Sequence, residues 1–212
     1  MSRTGWFLGT ALLVALAASA TGTATPQAGA NAKASAATPQ AGANAKASTA
    51  TPQAGASGAK ASAATATLEA RSGSAVKGEA TFGASGGKVT MKLRLSGLAP
   101  GPHAIHLHEN GDCSDPEAKA AGGHWNPGKT DHGRWGEGKF HRGDIGNLEA
   151  NAAGEATLVF STDMWTIGGD PGTDIVGRSV IIHEKVDDFK TQPTGNAGGR
   201  LACGVIRVPG KK

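Results

Sequence analysis

The chain has no tyrosine, and aromatic residues make up only 4% of its 212 positions. Nucleic-acid recognition calls for a basic face with interleaved aromatics, and these few, scattered rings do not supply one. The charge balance points the same way once it is divided by region. The formal net charge of +4 reflects 21 basic and 17 acidic residues, but Arg3, Lys33, Lys46 and Lys60 all precede residue 66. Beyond that point 17 basic residues face 17 acidic ones, and the globular part is formally neutral. No sustained helical periodicity is present, which excludes a bundle. Long apolar runs are also missing, apart from Trp6 to Ala17, which lies between Arg3 and Ala18-Ser19-Ala20. This is the charged start, short apolar middle and small-residue cleavage site of a secretory signal peptide over residues 1–20. It is too short to prefer a membrane span.

Cysteine is equally scarce, with Cys113 and Cys203 the only two. In an exported chain they favour a disulfide, although two free thiols or two thiolate metal ligands stay open from the residues alone. A bridge between them closes a loop of roughly 90 residues, worth about 4 to 5 kcal/mol in the chain-entropy model.

Residues 21–65 are a different material. Repeats open Thr-Pro-Gln-Ala-Gly-Ala at Thr25, Thr38 and Thr51, and each carries one Lys. With almost no large apolar side chain, the segment cannot offset its ordering entropy and reads as a disordered linker. A solenoid needs an apolar face in every repeat, and here there is none. As an extended spacer it reaches on the order of 100 Å, so association with the cell envelope is one role and a plain linker another.

Residues 66–212 have the length of one ordinary domain. Ala66 to Ala70, Ala75 to Phe82 and Gly87 to Leu95 read as short strands, and Val89, Met91, Leu93 and Leu95 alternate clearly. Gly101 to His108 supplies the next strand. Glu109 to Asn147 reads as a long irregular loop, of the kind that carries function. Asn147 to Ser161 carries a hairpin signal around Asn151-Ala152-Ala153-Gly154. Ile175 to Glu184 and Leu201 to Val208 complete the set. Seven or eight short strands predict an all-β Greek-key sandwich or barrel.

Histidine is where the chain is rich. Six of seven (His103, His106, His108, His124, His132 and His141) fall between Gly101 and Asn147. On a strand, His106 and His108 emerge on one face, and a pair of imidazoles there is half of a transition-metal site. His124, His132 and His141 with Asp144 offer three imidazoles and a carboxylate, a closed four-coordinate zinc shell that leaves no position for a substrate. His183, from another strand, can join His106 and His108 around a redox metal such as copper. Glu184 after it does not make a zinc-protease motif, because position 187 is Asp.

The stretches GPHAIHLHENGDC, AGGHWNP, HRGDIGN, IIHEKVDD and GNAGGRLACGVI, in this order, closely resemble the copper/zinc superoxide dismutases over about Thr65 to Val208. The resemblance implies that His106, His108, His124 and His183 bind copper. It implies that His124, His132, His141 and Asp144 bind zinc, with His124 bridging the two ions. It assigns Asp187 the carboxylate that orients one ligand of each metal, His103 a structural role, Arg200 the anion beside copper, and Cys113 and Cys203 a disulfide. The implied activity is dismutation of superoxide to oxygen and hydrogen peroxide by alternating Cu(II)/Cu(I) chemistry, with His124 passing a proton to the product. A non-catalytic copper chaperone or buffer of the same fold is the competing reading. An acidic pair found in many eukaryotic members is missing between His183 and Arg200, leaving Lys185 and Lys190 as candidate steering charges. The expected setting is exported, whether periplasm, cell surface or extracellular space, as a homodimer or monomer.

Overall fold

The structure is a computed structural model that describes residues 61–210. The signal-peptide segment and almost all of the repeat linker lie outside the described residues. Eight strands run in chain order: β1 (Ala63–Ala70), β2 (Lys77–Ser85), β3 (Lys88–Ser96), β4 (Gly101–His108), β5 (Asp144–Ala150), β6 (Ala156–Thr162), β7 (Ser179–His183) and β8 (Arg200–Val205). The one helical element among the described residues is a short 3₁₀ turn at Lys119–Ala121. All strand pairings are antiparallel, in the order β5-β4-β7-β8-β1-β2-β3-β6. No helix of the described residues is long and apolar enough to cross a membrane.

The pleat divides the residues as the alternation predicts. Leu68, Phe82, Met91, Leu93, Ile105, Leu107, Val180, Ile182 and Ala202 turn into one core with Trp125, Trp165 and Ile206. Each such side chain removed from water contributes about 1.5 to 3 kcal/mol, so the inner face carries the fold. The outer face of β4, β7 and β8 is different. His106 is paired with Ile181, and Ile181 with Cys203, so these residues and His108 and His183 share that face. It is nevertheless buried, because the loops 109–143 and 184–199 cover it. Ala118, Ala121, Ile181 and Cys203 form a second, small apolar cluster there.

Several sequence boundaries move. β1 begins at Ala63, before the expected Ala66, because its N-terminal half pairs with β2 from Ala63↔Gly83 onward. Similarly, β2 runs on to Ser85 and β8 stops at Val205. Asp144 to Asn147, read as loop, are the first residues of β5, laddered to β4 with a register shift between Ile105 and His106. The apolar run Ile175 to Glu184 shortens to β7 because a turn at Ile175–Arg178 interrupts it, with Gly177 at φ +80°. The expected Asn147–Ser161 hairpin is a connection between strands that are not hydrogen-bonded neighbours. The turn exists, with the Asn151 N–H donating to Glu155 O, but β5 ladders with β4 and β6 with β3. The link therefore joins the two ends of the sheet, which approach to form a nearly closed barrel.

Cys113 and Cys203 are disulfide-bonded, 90 residues apart, which closes the question left open by composition. Arg71, just past β1, donates to Cys113 O from Nε at 3.0 Å and Nη2 at 2.7 Å, fastening the same loop a second time. Replacing both cysteines, Cys113→Ser with Cys203→Ala, is expected to lower the unfolding free energy by about 4 to 5 kcal/mol. Denaturant melts of the two proteins check this, and a loss below about 1 kcal/mol contradicts the loop-closure account.

Candidate metal centre

Two groups of four side chains converge on the outer face. His106, His108, His124 and His183 form one, and His124, His132, His141 and Asp144 the other. Within each, one donor atom per residue lies within 4.8 Å of all the others, and every member is buried. The strands supply His106, His108, His183 and Asp144, while the 109–143 loop supplies His124, His132 and His141. Backbone pairing places the first loop histidine: an isolated bridge sets His124 against His108, and the Trp125 N–H donates to Leu107 O at 2.8 Å. Gly143 lies so close to Leu107 O that a Cβ there has no room, which keeps the return of the loop tight against β4.

The ring orientations follow from the fixed acceptors around the cluster. A carbonyl or carboxylate oxygen can only accept, so the ring nitrogen facing it carries the proton, and a neutral ring then offers a lone pair at its other nitrogen. His108 donates from Nδ1 to Gly122 O at 2.9 Å, and His183 from Nδ1 to Gly198 O at 3.4 Å. Their Nε2 atoms meet 3.4 Å apart inside the first group. His106 donates from Nε2 to Asp187 Oδ2 at 2.8 Å, His132 from Nε2 to Asp187 Oδ1 at 2.9 Å, and His141 from Nε2 to Thr130 O at 3.1 Å. The Nδ1 atoms of His106, His132 and His141 are buried without a hydrogen-bond partner.

His124 is the exception. Its Nδ1 lies 2.8 Å from Asp144 Oδ1 in the second group, and its Nε2 is buried and unpartnered in the first. Neither nitrogen has an acceptor outside the two groups. Four orphaned nitrogens in a buried cluster are costly unless something occupies them. Their donor set, imidazole with one carboxylate, fits copper or zinc. The second group has the three-imidazole, one-carboxylate composition of a four-coordinate zinc shell.

The electrostatics favour neutral, metal-ready rings in the first group. Burial pushes His108 and His183 well below the ordinary imidazole range, and neighbouring imidazoles and Arg200 push in the same direction. Burial likewise brings His124 down to about 4. In the second group burial works to raise Asp144, yet His124, His132 and His141 outweigh it and hold the carboxyl below the usual carboxylate range. His132 goes the other way: burial lowers it, but Asp144 and Asp187 together outweigh burial and raise it to about 9.

Arg200 opens β8 half-buried beside the first group. It donates from Nη1 to Ala118 O at 2.5 Å and from Nη2 to Gly122 O at 2.7 Å. Gly122 O is thus shared by Arg200 and His108. His103 lies outside both groups, its ring nitrogens 2.9 Å from Ala99 O and His183 O, and so ties the start of β4 to the end of β7. Lys185 and Lys190 are exposed. Asp188, a neighbour of Asp187 in sequence, is also exposed and caps the turn at Lys190 and Thr191. Sequence reasoning missed Gly122, Asn147, Gln192 and Gly195, whose contacts with the site run through backbone groups or close approach. Gly122, Asn147 and Gly195 lie within the stretches AGGHWNP, HRGDIGN and GNAGGRLACGVI, which were the available signal, whereas Gln192 lies in none of them.

Fold and site together define a class: an antiparallel β-barrel carrying two adjoining imidazole-rich groups, joined through one histidine, on an outer sheet face. Residues 76–206 match the family described as copper/zinc superoxide dismutase (SODC), and the chain belongs to that family. That family uses copper and zinc. Among similar curated proteins is the extracellular superoxide dismutase [Cu-Zn] of Drosophila melanogaster, 41% identical over 141 residues, covering 63% of this chain and 76% of that protein. A superoxide dismutase [Cu-Zn] of Caulobacter vibrioides is 44% identical over 124 residues, covering 56% and 71%. The crystal structure of the clock protein EA4 superposes with a TM-score of 0.64 at 36% identity, covering 71% of this chain and 96% of that one.

His132, raised to about 9, holds a proton at pH 7. A metal ion needs the lone pair, so binding must displace that proton, and affinity falls as pH drops below about 9. Zinc titrated into the metal-free protein at pH 7 is expected to release about one proton from His132. Calorimetry in two buffers of different ionisation heat measures it, and no release contradicts the assignment.

Proposed function

We propose that the chain dismutates superoxide, two superoxide anions and two protons giving oxygen and hydrogen peroxide. In this reading His106, His108, His124 and His183 hold copper, and His124, His132, His141 and Asp144 hold zinc. Bound copper supplies the one-electron chemistry, and zinc, which has no redox state of its own, anchors the shared ring. The observation that carries the reading is His124, whose two nitrogens face the two groups and nothing else.

The chain's own residues do the remainder. Arg200 is pinned by two carbonyls, so its guanidinium keeps a fixed orientation and a full positive charge beside the first group, suited to receive a small anion. His124 Nε2 has no other partner and is the atom placed to hold a proton for the peroxide product. Asp187 fixes His106 and His132 at once, so the two groups cannot drift apart. Lys185 and Lys190, exposed on the 184–199 loop, raise the local concentration of an anionic substrate even though the body is formally neutral. A pinned arginine beside the first group favours the enzyme over a carrier that only buffers copper.

Export is supported by the signal-like start, the disulfide and the extracellular and bacterial relatives. We place the body in the periplasm, at the cell surface or outside the cell, as a monomer or homodimer. The 21–65 segment then serves as its link to the envelope. His183→Ala removes one imidazole from the first group and none from the second. It is expected to abolish copper binding and dismutation while zinc content stays at that of the unaltered protein, as metal analysis beside a superoxide assay will show. Retained activity in the copper-depleted variant overturns the reading.

A further inference from the structure

His132 is held from two directions. Its Nε2 donates to Asp187, and its main chain is gripped by Gln192 from the 184–199 loop. The His132 N–H donates to Gln192 Oε1 at 2.8 Å, and Gln192 Nε2 donates to His132 O at 2.9 Å. A carboxamide that satisfies both backbone groups of one residue pins that residue much as a neighbouring strand does. Gln192 Nε2 also reaches back to Lys190 O in its own loop at 3.4 Å.

The same device acts on the other end of the His132–Asp187 contact. The Asp187 N–H donates to Asn147 Oδ1 at 2.8 Å, and Asn147 Nδ2 donates to Asp187 O at 3.0 Å. Gly195, at φ +65°, closes the remaining side, since a Cβ there collides with Asp187 Oδ1 and His132 Nε2. The ring and the carboxylate therefore have one relative position. Gln192 belongs to this enclosure, yet it is exposed. Removing its amide buries nothing and opens no cavity, but it frees the His132 peptide to turn.

We propose that Gln192 is a positioning residue for the second metal group. It sets the direction of His132 Nδ1 and, through Asp187, that of His106, and so governs how tightly zinc is held. This rests on the zinc reading of that group. Partners that orient a ligand are typically worth about 10- to 100-fold in metal affinity.

The experiment is competition for zinc between a chromophoric chelator and the metal-free full chain, for the unaltered protein and Gln192→Leu, with thermal melts of each with and without zinc. Gln192→Leu is expected to bind zinc about 10- to 100-fold more weakly. Its metal-free melting temperature should be unchanged, while its zinc-induced rise in melting temperature is reduced, as linkage requires. Equal zinc affinity in the two proteins overturns the proposal. So does a fall in metal-free melting temperature that accounts for the whole difference, because that marks a merely structural side chain. If the unaltered chain takes up no zinc, the zinc reading itself falls, a result distinct from either of the others.

Discussion

Each imidazole of the centre except His124 has one nitrogen committed to a fixed oxygen acceptor, and the rest of the site depends on that constraint. Gly122, Gly198 and Thr130 supply carbonyls, and Asp187 supplies both carboxylate oxygens. With the outer nitrogens occupied, only the inner nitrogens are left to offer a lone pair to a metal ion. His124 lacks any outside acceptor, so the same logic sends both of its nitrogens into the centre, one to each group. A shared ring is thus a consequence of where hydrogen-bond acceptors are and are not placed.

The barrel makes this arrangement possible by dividing labour between its faces. Large apolar side chains fill the inner face, which leaves the outer face of β4 and β7 free to carry His106, His108 and His183. Those imidazoles are buried from above by loops, and the loops are fixed at few, strong points. The disulfide, the Arg71 fork on Cys113 O and the Arg200 fork on Ala118 O and Gly122 O hold the 109–123 stretch. Gly122 O couples them to the chemistry, because it receives Arg200 and His108 together. A displacement of this loop moves the Arg200 guanidinium and the His108 ring as one unit.

Much of this is legible in the residues. Alternation of Val89, Met91, Leu93 and Leu95 declares β3, and His106 and His108 declare a face that carries imidazoles. Spacing alone suggested the zinc-like composition of His124, His132, His141 and Asp144. What is not legible is long-range. Nothing local marks Asn147 or Gln192 as amide clamps on Asp187 and His132, 40 and 60 residues away in sequence. The Asn151–Gly154 turn looks like a hairpin because turn chemistry is local, whereas pairing of β5 with β4 and β6 with β3 is decided by the whole barrel. Asp144 reads as loop because glycine and charge surround it, and only the ladder to His106 makes it strand.

The central claim is that one ring, His124, serves two metal ions. The most direct measurement is a crystal structure of the copper- and zinc-loaded full chain, with anomalous scattering recorded at both metal edges. The account predicts copper at His124 Nε2 with His106, His108 and His183, and zinc at His124 Nδ1 with His132, His141 and Asp144. Ligation of His124 to a single ion, with its other nitrogen bound to water or protein, contradicts it.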